Sequence, residues 1–207
     1  MTPDLGGLRI ADYLQALGSS EPTPGGGSAA ALAGALASAL GRMVVSVAQE
    51  KESTPERRSL VAAFRDLEAH FLRLAAEDER AFAEVMDALR IPKNAASRQE
   101  HVQTALQCAA AVPLRAASAS VSTLEHLLLA EPHASRSIVS DVGVAAHLAL
   151  AALRSSLLNV HANLRSIDDA EARDRLKREA NALASAAETA HDDLVHRVAR
   201  RLSPAHS

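Results

Sequence analysis

The sequence predicts an all-α protein, a single-domain bundle of about seven helices extending over residues 1–207. Three observations carry this prediction. Apolar residues recur every three or four positions along most of the 207-residue chain, which is the period of a helix face. No stretch shows the apolar–polar alternation of a half-buried strand. Hydrophobic residues make up 48% of the chain but aromatics only 2%, so the core must be built from Ala, Leu and Val, of which Ala and Leu are strong helix formers. A chain of this length is long enough to bury a sizeable core.

The first element is a short amphipathic helix over Leu8 to Leu17, with Ile10, Tyr13, Leu14 and Leu17 on one side and Gly18 as C-cap. Pro22-Thr23-Pro24-Gly25-Gly26-Gly27-Ser28 follows. Its prolines stiffen the approach and its glycines permit positive φ and a close backbone approach. Ser28 suits the N-cap of an Ala-rich helix reaching about Gln49. That helix carries a large ridge, Leu32, Leu36, Leu40, Met43 and Val47, and a small one, Ala30, Gly34, Ser38 and Gly41. Apolar nearly all round, it is expected to be central. Thr54-Pro55 opens the next helix with an N-cap and an N1 proline. Leu60, Phe64, Leu67, Phe71, Leu74, Phe82, Val85 and Leu89 continue it to Arg90, with Asp78 filling the one gap in the stripe and Glu77 and Glu79 beside it. Ser97-Arg98-Gln99-Glu100 reads as a capping box for a helix to Ala111. Pro113 kinks or restarts that helix, which then reaches Leu129. Glu131 to Ser135 is a loop. Ser140 or a neighbour caps a helix to Leu164, and Asp168-Asp169 caps the last, to about Arg201.

Charged residues are 23% of the chain and the net charge is -3, which offers no electrostatic case for nucleic acid or an anionic membrane. The most apolar window, Ala29 to Gly41, is shorter than a membrane span. The N-terminus shows no signal-peptide pattern. The single cysteine, Cys108, excludes an intrachain disulfide and reads as a small core residue. A cytoplasmic protein is the default expectation. The nine histidines show no metal spacing, and no His-Glu-x-x-His or cysteine pair occurs, so no metal is expected.

Two carboxylates and one loop are candidates for chemistry. The Gly25–Ser28 backbone at a helix start is either an anion cradle or an ordinary turn before a buried helix. Asp78, on an apolar stripe, is costly unless paired; it either meets a partner inside the bundle or serves a site. Asp141, in the first turn of its helix, is stabilised by the dipole and is either a cap or a functional group. Asp141 and Asn159 lie five turns apart on one face, roughly 27 Å at the helical rise. One small site uses both only if two subunits supply them; otherwise Asn159 and Asn163 lock helices together.

Several segments together resemble the cyclodeaminase/methenyltetrahydrofolate cyclohydrolase family, which comprises stand-alone bacterial cyclohydrolases and the C-terminal domain of formiminotransferase-cyclodeaminase. They are Pro22–Ser28 with the Ala-rich helix and Met43; Glu77-Asp78-Glu79 with Ala81-Phe82 and Val85-Met86; and Pro92-Lys93-Asn94. Arg98 with Val102-Gln103, Val112-Pro113-Leu114, and Ser140-Asp141-Val142-Gly143-Val144-Ala145-Ala146 with Asn159-Val160 and Asn163-Leu164 complete the set. Order and spacing agree over nearly the whole chain.

The resemblance implies an all-helical homodimer acting on a tetrahydrofolate derivative, with no cofactor or metal beyond that substrate. The implied reaction is hydrolysis of 5,10-methenyltetrahydrofolate to 10-formyltetrahydrofolate. Closure of 5-formiminotetrahydrofolate with loss of ammonia is the alternative, and a non-catalytic dimer binding a folate-like ligand or a protein is the third reading. Asp141 is the first choice for base or cation partner and Asp78 the second, with Lys51 as proton shuttle or carboxylate binder. Pro24, Gly25, Gly26, Gly27, Ser28, Lys93, Arg98 and Ser140 are the implied substrate-binding residues. Two departures from the family pattern stand out. Gln49-Glu50-Lys51-Glu52-Ser53 replaces a Gly-Lys-Lys stretch, and Ala134-Ser135-Arg136-Ser137 replaces an Asn-containing one.

Overall fold

Residues 9–203 are described by a computed structural model, and among them there are six α-helices, one 3-10 turn and no strand. The helices are α1 (Ile10–Leu17), α2 (Gly26–Lys51), α3 (Pro55–Arg90), α4 (Arg98–Ala130), α5 (Val139–Leu164) and α6 (Ala170–Leu202), with the 3-10 turn at Glu131–His133. Leu8, expected to begin the first helix, lies outside the described residues.

The all-helical expectation holds, and the count is six rather than seven because Pro113 sits inside α4 without ending it. Proline removes one hydrogen bond and leaves the carbonyl four residues earlier, on Ala109, without its donor. Asn163 of α5 supplies one: its Nδ2 donates to the Ala109 carbonyl at 3.0 Å.

Capping follows the sequence in two places. Thr54 accepts from the Arg57 amide, and Asp169 accepts from the Glu171 and Ala172 amides. In three places it does not. Gly25, not Ser28, is the N-cap of α2, which starts two residues earlier than expected. Ser97 makes no side-chain cap; instead Arg98 reaches back and donates to the carbonyls of Ile91 (3.0 Å) and Leu89 (3.4 Å) at the end of α3. Ser140 does not cap α5, whose N-cap is Ile138.

Helix α2 lies against α4 and between α3 and α5, while α6 packs across α5 and α4. Its small ridge faces inward. A β-carbon on Gly34 would overlap the Phe71 ring, and one on Gly41 the Phe64 ring, so both glycines exist to admit a phenyl ring from α3. Ser38 bonds Thr123 of α4 at 3.3 Å. The large ridge therefore turns outward: Leu36 is 49% exposed, and Leu32, Leu40, Met43 and Val47 are half-buried. The helix is central on three sides and open on the fourth, which corrects the expectation of burial all round.

Two further expectations are corrected. Cys108 is exposed on α4 rather than in the core. On α3 the buried positions shift to Ala75, Glu79, Ala81 and Ala88, which draws Glu79 inward and leaves Phe82 and Leu89 partly exposed. Helices α2 and α5 are long and apolar enough to cross a membrane by length and composition, but about half of each such window is buried inside the bundle, as expected of core helices. At the far end, Arg201 of α6 grips the 3-10 turn, donating to the Glu131 carbonyl at 2.6 Å and its carboxylate at 2.7 Å, and to the Ala134 carbonyl.

Candidate functional site

The start of α2 forms one wall of a cavity of about 260 Å³. Pro22, Thr23 and Gly25–Gly27 make its rim. Asp78, Ala81, Phe82 and Val85 of α3 line one side, and Ala109, Asn159 and Asn163 of α4 and α5 the other. The glycines are needed for close approach rather than for an unusual backbone, since no described glycine has positive φ. A β-carbon on Gly27 would overlap the Asp78 carboxylate, so that carboxylate lies directly on the α2 backbone. A β-carbon on Gly26 would come within 3.8 Å of Asn159 Oδ1.

Asp78 thus stands at the positive end of a long helix, where the first-turn amides lack intrahelical partners. Burial pushes its carboxyl pKa up, and a hydrogen bond from the Ser28 backbone works against that rise. Behind it, Ser28 is fully buried and its hydroxyl meets the Tyr13 hydroxyl at 3.2 Å. Burial raises the Tyr13 phenol, the Ser28 bond opposes this, and the Glu79 and Asp78 charges add to the rise. Glu79, 8% exposed, is raised by burial and then by the Asp78 charge. Sequence reasoning named Ser28 as a cap and binding residue but missed its burial with Tyr13 and Glu79. Its one signal was Tyr13, the chain's single tyrosine, on an apolar helix face.

Asn159 and Asn163 project from one face of α5 into the cavity. Asn163 is held by the Ala109 carbonyl and Asn159 by the Ser155 carbonyl at 3.2 Å. Asn163 therefore locks α5 to α4, whereas Asn159 bonds only within α5; both wall the pocket.

The remaining predicted residues lie elsewhere. Lys51 lines a second cavity of about 280 Å³ at the opposite end of α2, together with Arg57, His133, Ser135 and Ile138. Asp141 and Ser140 begin α5 at that end. Lys93 is exposed in the α3–α4 turn, and Arg98 is engaged with the α3 carbonyls. The chain therefore brings Asp78 together with Gly25–Ser28 and does not bring Asp141 or Lys51 to them.

A larger, more open groove of about 570 Å³ between α3 and α4 is walled by Glu84, Asp87, Glu100 and His101. Three of its lining residues are carboxylates, and His101, Thr104 and Cys108 supply its other polar groups. The smaller cavity joins a raised carboxyl, helix-end amides and two carboxamides, the arrangement expected of a site. Among the described residues no group of three or more His, Cys, Asp or Glu side chains is placed to hold a metal ion.

The chain as a whole has counterparts in known proteins. The pattern of the formiminotransferase-cyclodeaminase family matches residues 9–182. The chain is 35% identical to the methenyltetrahydrofolate cyclohydrolase of Methylorubrum extorquens over 190 residues, covering 87% of this chain and 91% of that protein. It is 32% identical to the formimidoyltransferase-cyclodeaminase of Mus musculus over 76% of this chain, spanning only 30% of the mouse protein. The crystal structure of formiminotetrahydrofolate cyclodeaminase from Thermotoga maritima superposes with a TM-score of 0.82 at 26% identity, over 95% of this chain and 96% of that one.

Proposed function

Because this chain belongs to the formiminotransferase-cyclodeaminase family, and is thereby an enzyme of folate one-carbon metabolism, we propose that it hydrolyses 5,10-methenyltetrahydrofolate to 10-formyltetrahydrofolate. The observation that carries this reading is the Asp78 carboxylate seated on Gly27 at the start of α2. The stand-alone cyclohydrolase that matches over nearly its full length adds weight.

The methenyl bridge is a delocalised amidinium cation, and among the described residues Asp78 is the one charged group lining the cavity. A carboxylate there stabilises the cation and orients water against its carbon. Water's oxygen bonds to that carbon while Asp78 accepts one proton. The carbon–N5 bond then breaks as that proton passes to N5. Loss of the second water proton leaves the formyl group on N10 and one proton in solution. A carboxyl raised by burial suits both transfers better than an ordinary aspartate, because its proton affinity lies nearer to neutrality. The carboxamides of Asn159 and Asn163 and the Gly26 and Gly27 amides offer donors and acceptors for a pterin edge. The working unit in this reading is a cytoplasmic homodimer without metal or added cofactor.

The likeness to the Thermotoga maritima cyclodeaminase favours a second reading, closure of 5-formiminotetrahydrofolate with loss of ammonia. Offering the purified protein each folate separately distinguishes the two. Catalysed decay of methenyltetrahydrofolate absorbance without ammonia release from the formimino compound is the expected result. Ammonia release alone would replace the first reading by the second, and turnover of neither would leave a folate-binding protein.

A further inference from the structure

Among the described residues two glutamates are buried, and only one has a partner. Glu131, 6% exposed, is gripped by Arg201 at 2.7 Å. Glu79, 8% exposed, makes no hydrogen bond or ion pair among the described residues, and the one charge acting on it is the like charge of Asp78. A buried carboxylate without donors is costly. The mechanism above makes no use of it.

Glu79 lines a cavity of about 260 Å³ with Phe82, Ala83, Met86, Asp87 and Arg90. Arg90, the one cationic side chain lining it, is taken by Asp87 at 2.6 Å. Glu79 is the buried acceptor left free. This cavity and the Asp78 cavity have Pro22, Thr23 and Phe82 in common. At about 260 Å³ each, they fall below the roughly 300–1,000 Å³ of small-molecule sites, whereas the two joined fall within it.

A tetrahydropterin offers donors where Glu79 lacks them. Going round its fused rings from N5, the O4 carbonyl comes first, an acceptor. The N3–H and the 2-amino group come next, two donors side by side. A carboxylate accepts from both at once, as it does from a guanidinium. Consecutive helix residues point about 100° apart, so Asp78 and Glu79 diverge toward different edges of one bicyclic ring. With the methenyl carbon at Asp78, O4 falls to the α2 amides and the carboxamides, and the donor edge is left for Glu79.

Resting on the folate reading above, we infer that Glu79 binds the pterin of the substrate, accepting from its N3–H and 2-amino group while Asp78 faces the methenyl carbon. Glu79 sets the orientation of the ring and takes no part in the proton transfers.

Calorimetry with 5-formyltetrahydrofolate tests this without turnover, because that folate carries the same donor edge. Glu79→Leu removes both acceptors, and the loss of an unpartnered buried charge should leave the fold intact. It is expected to weaken binding about 10–100-fold, and Glu79→Gln, which keeps one acceptor, should fall between. An analogue with methyl in place of the 2-amino group should bind wild type about 10-fold more weakly, whereas Glu79→Leu should hardly distinguish the two ligands. For methenyltetrahydrofolate turnover, KM should rise in Glu79→Leu with kcat near wild type, as for a contact made equally in ground and transition states. Wild-type affinity in Glu79→Leu overturns the inference. So does a loss that is accompanied by undiminished discrimination between the ligands, the mark of a merely structural role. If the wild type turns over no folate but the binding differences hold, the functional reading fails and Glu79 keeps its role. A wild type that binds no folate overturns both.

Discussion

Gly27→Ala probes the contact on which the site is built. Alanine at a first-turn helix position is favoured over glycine by up to about 1 kcal/mol, so by propensity alone the variant should be slightly more stable. The added methyl, however, occupies the place of the Asp78 carboxylate. To regain an ordinary contact distance the carboxylate must retreat by roughly 1 Å. A misplacement of that size at a reacting group costs on the order of 10²-fold in rate, and the same retreat loosens its bond with the Ser28 backbone. Circular dichroism and thermal melting should therefore show a fold within about 1 kcal/mol of wild type, while methenyltetrahydrofolate turnover falls on the order of 100-fold. Gly34→Ala is the control. It drives a methyl into the Phe71 ring, so overpacking should lower stability by about 1–3 kcal/mol and leave turnover at low temperature nearly intact. Wild-type turnover in a folded Gly27→Ala protein would refute the placement of the chemistry at Asp78.

Other expectations follow from the same geometry. Asn163→Ala strips the donor from the Ala109 carbonyl and should cost about 1–3 kcal/mol; in a Pro113→Ala background, where the backbone regains its own donor, the loss should shrink, and a double-mutant cycle in urea reads the coupling. Asp78→Asn should change stability in a pH-dependent way. The folded carboxyl titrates above its unfolded value, so the cost of ionising it is absent below the unfolded pKa, grows as pH rises through the interval to the raised value, and is full above it. The variant should thus melt higher than wild type near pH 7, and the advantage should vanish near pH 3. An equal melting difference at both pH values would contradict a charge origin.

The fold was legible because helix period survives in sequence. Leu60 to Leu74 repeats at three and four, and the Thr54-Pro55 and Asp169 caps mark helix starts. The count of helices was not legible, since Pro113 continues α4 only because Asn163, fifty residues on, offers a donor to Ala109. Asp78 showed itself as a polar interruption of an apolar stripe, a local signal. Which side of α2 is buried did not show, because a helix apolar on every face carries no moment to orient it. The choice was made by the phenyl rings of Phe64 and Phe71, which need the glycine side. Glu79 stayed hidden for a related reason: the buried row on α3 drifts along so long a helix, and flanking position alone no longer predicts exposure.

Whether Asp78 carries the reaction is decided by the turnover of methenyltetrahydrofolate by wild type and Asp78→Asn side by side, with Asp141→Asn as a third arm. Asparagine keeps the shape of Asp78 and an acceptor for the Ser28 backbone, but removes the charge facing the cation and the site for water's proton. Loss of a general base costs about 10²–10⁴-fold, so a folded Asp78→Asn protein that still binds the folate should turn it over more slowly by that factor. Wild-type turnover by Asp78→Asn, with Asp141→Asn folded and inactive, would show that the reaction belongs to the other carboxylate.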